Sequence, residues 1–132
     1  MSDSDHLQLI DEARRTRENA YAEYSKFKVG AALIDSRGRT FVGCNVENVS
    51  FGLTICAERV ALGSAIAAGS TEFQVIAIVS DSAEPVVPCG ACRQVLAEFA
   101  PSLRVISSNL TGQTTEFSLS ALLPSPRQGI LG

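Results

Sequence analysis

Residues 73–80 read FQVIAIVS, eight positions with no charge and almost wholly apolar. A half-exposed strand would alternate polar and apolar side chains, so a run like this predicts a strand covered on both faces. That one element demands two layers of cover from the rest of the chain. Downstream, Pro88 opens a helical stretch over Cys89–Phe99 that Pro101 ends, and Leu103–Ile106 reads as a short second strand. Strand, helix and strand in that order predict a right-handed parallel crossover.

The upstream half predicts the remaining layers. Leu7, Ile10, Ala13, Ala20 and Tyr21 recur at roughly helical spacing, with Ser4 or Asp5 as a cap, and Arg14, Arg15 and Arg17 are interleaved with acids as on a solvated face. Phe27–Ile34 and Arg39–Val46 are β-like runs joined by Asp35-Ser36-Arg37-Gly38, a hairpin pattern. Ala57–Ala68, closed by Gly69, reads as a buried helix with its C-terminal glycine. A weak strand near Thr114–Phe117 and a short helix over Ser118–Leu123 complete an α/β layered fold, with a mixed sheet whose antiparallel part comes first. No repeat, low-complexity stretch or linker divides residues 1–132, which we read as one domain.

Charge excludes several functions. Eleven basic residues against fourteen acidic ones leave a net charge of −3, with Lys26 and Lys28 the two lysines and no extended basic run. Such a surface has little grip on a phosphate backbone, so no nucleic-acid partner is expected. No apolar stretch approaches the roughly 18 residues of a membrane span, and the first residues are acidic where a signal peptide would be basic. A cytoplasmic protein without a membrane partner is the expectation. His6 is the single histidine, placed near the start, so catalysis built on a histidine base has almost nothing to use. Any metal must be held by cysteines and carboxylates.

Four cysteines are present: Cys44, Cys56, Cys89 and Cys92. Cys89 and Cys92 stand three apart in Pro88-Cys89-Gly90-Ala91-Cys92 where a helix begins, which turns both sulfurs to nearly the same side. Cys56 falls at the other predicted helix start, in Cys56-Ala57-Glu58-Arg59. Unpaired N–H groups and the positive end of the helix dipole favour thiolates at both places. Three thiolates leave one position of a tetrahedral zinc open, the arrangement of a catalytic site. Zinc with three thiolates carries a net −1 charge, which opposes ionisation of a water ligand, so charge must be drawn off the sulfurs. Arg59 and Arg93 stand near the candidate ligands and could donate hydrogen bonds to sulfur. Two other readings stay open. Cys-Gly-Ala-Cys could be a thioredoxin-type redox pair, which would leave Cys56 and Glu58 unexplained. Cys44 could close a structural four-cysteine site, although its alternation with Val42 and Val46 reads as a small core residue.

Together, Cys56-Ala57-Glu58-Arg59 and Pro88-Cys89-Gly90-Ala91-Cys92-Arg93-Gln94 resemble the zinc signature of the small cytidine deaminases, and the handling of nucleobases by such zinc deaminases is a known scheme. The likeness extends to Tyr24-Ser25-Lys26-Phe27-Lys28-Val29-Gly30-Ala31-Ala32 and Cys44-Asn45-Val46-Glu47-Asn48, and spans roughly Tyr21 to Pro124. The resemblance implies a three-layer α/β/α cytidine deaminase-like fold with a mixed, roughly five-stranded sheet. It implies one zinc ion per subunit on Cys56, Cys89 and Cys92. It implies Glu58 as a proton shuttle from water to N3 of cytosine and then to the departing amine. Phe27 would pack on the base, Asn45 and Glu47 would hold the ribose hydroxyls, and Ala57 would complete the substrate contacts. The activity implied is deamination of cytidine and deoxycytidine in pyrimidine salvage, by a homotetramer with sites at its subunit boundaries.

The chain departs from the resemblance in two places. Many relatives carry phenylalanine at the place of Arg127, after Leu122-Leu123-Pro124-Ser125-Pro126, and tyrosine is frequent where Phe51 stands. The altered tail keeps a modified cytosine nucleoside such as blasticidin S in view as an alternative substrate. A structural-zinc interaction protein is the non-enzymatic alternative.

Overall fold

The computed structural model describes residues 3–126. Its centre is β3 (Phe73–Ser80), in which every residue from Val75 to Ser80 is buried. On one side β3 pairs antiparallel with β1 (Val29–Asp35), which pairs antiparallel with the edge strand β2 (Thr40–Cys44). On the other it pairs parallel with β4 (Arg104–Asn109), and β5 (Thr114–Ser118) closes that edge antiparallel. The order is β2-β1-β3-β4-β5, a mixed five-stranded sheet with its antiparallel hairpin first in the chain.

Both faces are covered, as the apolar run demands. Val75, Ala77 and Val79 meet Leu9, Ile10 and Ala13 of helix α1 (Asp3–Arg17). Ile76 and Ile78 point the other way, to Ala61, Leu62 and Ala65 of α2 (Ala57–Ala67) and Leu96 and Ala97 of α3 (Gly90–Phe99). A one-turn helix, α4 (Leu119–Leu122), adds Leu119 to that second core. The three-layer α/β/α architecture follows directly from two-sided burial of one strand.

Two glycines set how closely the helices lie. A Cβ at Gly30 would stand 1.9 Å from the Ala13 carbonyl oxygen, so α1 rests on the bare backbone of β1. A Cβ at Gly43 would stand 2.4 Å from the Ala61 nitrogen and 2.5 Å from the Ala57 carbonyl oxygen. The second approach brings the first turn of α2 against the end of β2. Gly30 is also level with Cys44 in the hairpin, which puts the Cys44 side chain on the α1 face of the sheet.

Several element ends differ from expectation, β1 for one beginning at Val29 and not at Phe27. Helix α1 stops at Arg17, not Tyr21. The bonds from the Glu18 and Asn19 N–H groups reach back only three residues, and Tyr21 is drawn into backbone bonds with Asn45 and Glu47. Strand β2 stops at Cys44, because Val46 leaves the ladder to bridge Tyr21 and Ile55. Strand β4 runs on to Asn109, since Ser107, Ser108 and Asn109 pair with Ile78, Val79 and Ser80 although their side chains are polar.

Candidate metal centre and binding cavity

The two helix starts meet at one end of the sheet. Cys56 is the N-cap residue of α2, and Cys89 is that of α3, its Sγ accepting the Cys92 N–H at 3.4 Å. Cys92 lies in the first turn of α3 and is fully buried. Sγ of Cys89 is 3.8 Å from that of Cys56 and 3.3 Å from that of Cys92, and all three lie within 4.8 Å of one another. Zinc–sulfur bonds of about 2.3 Å in a tetrahedron require sulfurs about 3.8 Å apart, so these donors stand near the spacing that zinc needs. Among the described residues this is the one cluster of three potential ligands. Cys44 belongs to the opposite face of the sheet, where burial pushes its thiol up, and it does not join the cluster.

The charge on the sulfurs is spread unevenly. The hydrogen bond from Cys92 and the guanidinium of Arg59 outweigh burial and hold the Cys56 thiol at about 5. Its bond to Cys56, together with burial, pushes the Cys92 thiol up, so Cys56 is the first of the two to ionise. Arg59 donates through Nη2 to Cys56 Sγ at 3.7 Å and to the Thr54 carbonyl at 3.3 Å. Arg93 does otherwise than its neighbourhood to Cys92 suggests. Its Nε donates to the Pro88 carbonyl at 2.7 Å and its Nη1 to the Leu122 carbonyl at 3.2 Å. The guanidinium of Arg93 is therefore used on backbone oxygens, bracing the residue before Cys89 against the C-terminal segment. Gln94 adds a bond to the Pro126 carbonyl, and Arg127 lies outside the described residues.

Glu58 is 5% exposed and sits beside the sulfurs. Two residues along an ideal helix turn the side chain some 200° away, so spacing alone does not place it there. The first turn does, because Cα–Cβ bonds tilt towards the helix N-terminus and bring both side chains back over it. Burial pushes its carboxyl above the usual range, and the Cys56 thiolate acts in the same direction against its own N–H, Cys92 and Arg59. A carboxyl so placed gives up its proton less readily than an exposed one.

Cys56, Cys89 and Glu58 form the floor of a cavity of ≈ 320 Å³. Phe27, Val29, Val86 and Val87 make its apolar walls, and Asn45, Glu47 and Ala57 also line it. Phe27 is 38% exposed, a wall of the cavity and not a core residue. Asn45 and Glu47 face one way just past the end of β2. Asn45 accepts the Val29 N–H at 2.8 Å and donates to the Phe27 carbonyl at 2.9 Å. Glu47 Oε1 accepts the N–H groups of Tyr24 at 2.9 Å and Ser25 at 3.1 Å, and its Oε2 accepts the Ser25 hydroxyl. These bonds, the hydroxyl foremost, hold the Glu47 carboxyl low and ionised. Ser25, Val29, Thr54, Val86 and Val87 line the cavity without having been singled out by sequence. The polar or apolar character of each is ordinary, and only the fold gathers them. Among the described residues no lysine or arginine lines the cavity.

Comparison with known proteins gives one consistent family. The family profile "Cytidine and deoxycytidylate deaminase zinc-binding region" matches residues 3–108. A cytidine deaminase of Halalkalibacterium halodurans is 50% identical over 121 residues, covering 91% of this chain and 92% of that protein. A probable cytidine deaminase of Dictyostelium discoideum is 41% identical over 94% of this chain and 84% of its own length. The crystal structure of a cytidine deaminase from Burkholderia pseudomallei superposes with a TM-score of 0.89 at 51% identity, over 95% of this chain and 98% of that one.

Proposed function

This chain belongs to the cytidine and deoxycytidylate deaminase family, and on that footing we propose that it hydrolyses cytidine and deoxycytidine to uridine and deoxyuridine. The observation that carries the proposal is the cavity itself, in which a buried carboxyl, three sulfurs spaced for zinc and an apolar, sugar-sized chamber meet. Cys56, Cys89 and Cys92 would hold the metal. Zinc, when bound by three protein ligands, supplies Lewis acidity enough to make a water nucleophilic near neutral pH.

The residues of the chain do the rest. Phe27 and the valine walls bind the base by its faces and exclude water. Glu58 takes a proton from the attacking water and delivers it to N3 as oxygen adds at C4; it then takes the remaining proton of that C4 hydroxyl and gives it to the amine as C4=O forms, the C4–N bond breaks and ammonia leaves. A positioned acid–base group of this kind contributes about 10²- to 10⁴-fold in rate. Arg59 draws charge from the Cys56 sulfur and so favours ionisation of the water. Asn45 and Glu47 take the ribose hydroxyls with the amide and carboxylate capacity their backbone bonds leave over. The lowered, ionised Glu47 carboxylate in the lining favours a nucleoside over a nucleotide, whose phosphate it would repel.

The variant Glu58→Gln tests the assignment. It should keep fold and stoichiometric zinc while turnover falls at least about 10²-fold; turnover close to wild type would remove Glu58 from the shuttle role. The protein is further read as a homotetramer acting in cytoplasmic pyrimidine salvage. Supporting the assembly is an apolar rim beside the cavity, where Val49, Phe51 and Leu53 are exposed by 76%, 74% and 66%. Phe51 meets Tyr24 edge to face there, with ring centroids 6.0 Å apart.

A further inference from the structure

Phe27 is held by its backbone from both sides, and both holds lead to the residues read as binding the sugar. Its carbonyl accepts from Asn45 Nδ2 at 2.9 Å. Its N–H donates to Ser25 Oγ at 3.0 Å, and the Ser25 hydroxyl in turn donates to Glu47 Oε2. Between Ser25 and Phe27 the chain passes through Lys26 at φ 61°, a left-handed turn that a non-glycine residue keeps only when its neighbours are fixed. The Lys26 side chain is exposed and pairs with Glu23 at 3.9 Å, and its N–H donates to the Ala22 carbonyl at 3.0 Å. The side-chain anchorage of the turn comes from the Glu47 carboxylate, through the N–H groups of Tyr24 and Ser25 and through the Ser25 hydroxyl.

We propose that Ser25 is a positioning residue that couples the sugar-side carboxylate of Glu47 to the base-side ring of Phe27. One hydroxyl uses its proton on the carboxylate and its lone pair on the Phe27 N–H, so the place of the carboxylate and the place of the ring are set together. A nucleoside that engages Glu47 thereby meets a ring already aligned with its base. This rests on reading the cavity as the cytidine site.

The test is a double-mutant cycle on zinc-loaded protein with cytidine as substrate. Ser25→Ala should lower kcat/KM about tenfold, as expected for loss of a charge-assisted hydrogen bond, with zinc content and melting temperature kept. Ser25→Thr, which restores the hydroxyl, should recover most of the loss. In a Phe27→Leu background Ser25→Ala should cost less than about twofold more, because a residue acting through the ring has nothing left to act on. Full additivity of the two changes would overturn the coupling, as would a Ser25→Ala enzyme equal to wild type. A wild-type enzyme that leaves cytidine unchanged would instead overturn the function on which the coupling rests.

Discussion

At the scale of single residues, Asp35 shows how one side chain can be tuned by its surroundings. It ends β1 and is 1% exposed, yet its carboxyl is held at about 2, below the ordinary 3.8. Burial pushes the value up, and the N–H of Arg39, the Ser70 hydroxyl, the Arg39 guanidinium and the Arg37 N–H together outweigh it. A carboxyl lowered by folding contributes stability in full above 3.8 and loses it as pH falls through about 2. Asp35→Asn should therefore melt below wild type near neutrality, with the gap closing between pH 3.8 and about 2. A gap that stayed constant over that range would contradict the ionic role. Three of the four bonds to the Asp35 carboxylate come from Arg37 and Arg39 in its own turn, and the fourth comes from Ser70, 35 residues away, which the sequence does not reveal. The cysteines and Glu58 were legible from residue type at two predicted helix starts, although Cys56 and Cys89 stand 33 residues apart. Ser25 was quoted within a motif and left without a role, because its two hydrogen bonds depend on a left-handed turn at Lys26 that spacing does not reveal.

At the scale of elements, strands were easiest to read where burial is two-sided. The ends of β3 were legible to the residue, because the apolar run coincides with the part covered by α1 on one face and α2 on the other. Strand β4 was expected to end three residues before it does, since Ser107, Ser108 and Asn109 are polar and their burial depends on pairing with β3. Asn109 then serves the site from a distance. Its amide donates to the carbonyls of Ser82 at 3.1 Å and Ala83 at 3.2 Å, tying down the segment that leads to Val86, Val87 and Cys89. The two helix starts were legible from cysteine and proline, but their convergence was not. That depends on Gly43, where the absent side chain lets α2 rest on β2 and brings Cys56 and Glu58 to the cavity.

At the scale of the whole molecule, one 14.0 kDa chain places its sulfurs, its carboxyl and its polar sugar-side residues around a cavity bordered by exposed apolar side chains. Burying that border against further copies accounts for it without a second partner. Light scattering should give a mass of about four chains, the assembly the family resemblance implies; a monomer that deaminates cytidine at full rate would contradict that assembly. No helix among the described residues is long and apolar enough to cross a membrane. The central claim is that this cavity deaminates a nucleoside, and the most direct test is the ultraviolet absorbance of cytidine mixed with zinc-replete protein, with cytidine monophosphate in parallel. The cytidine signal should fall while the monophosphate signal holds, because the ionised Glu47 carboxylate in the lining repels a phosphate. An unchanged cytidine signal, or an equal fall with the monophosphate, would contradict it.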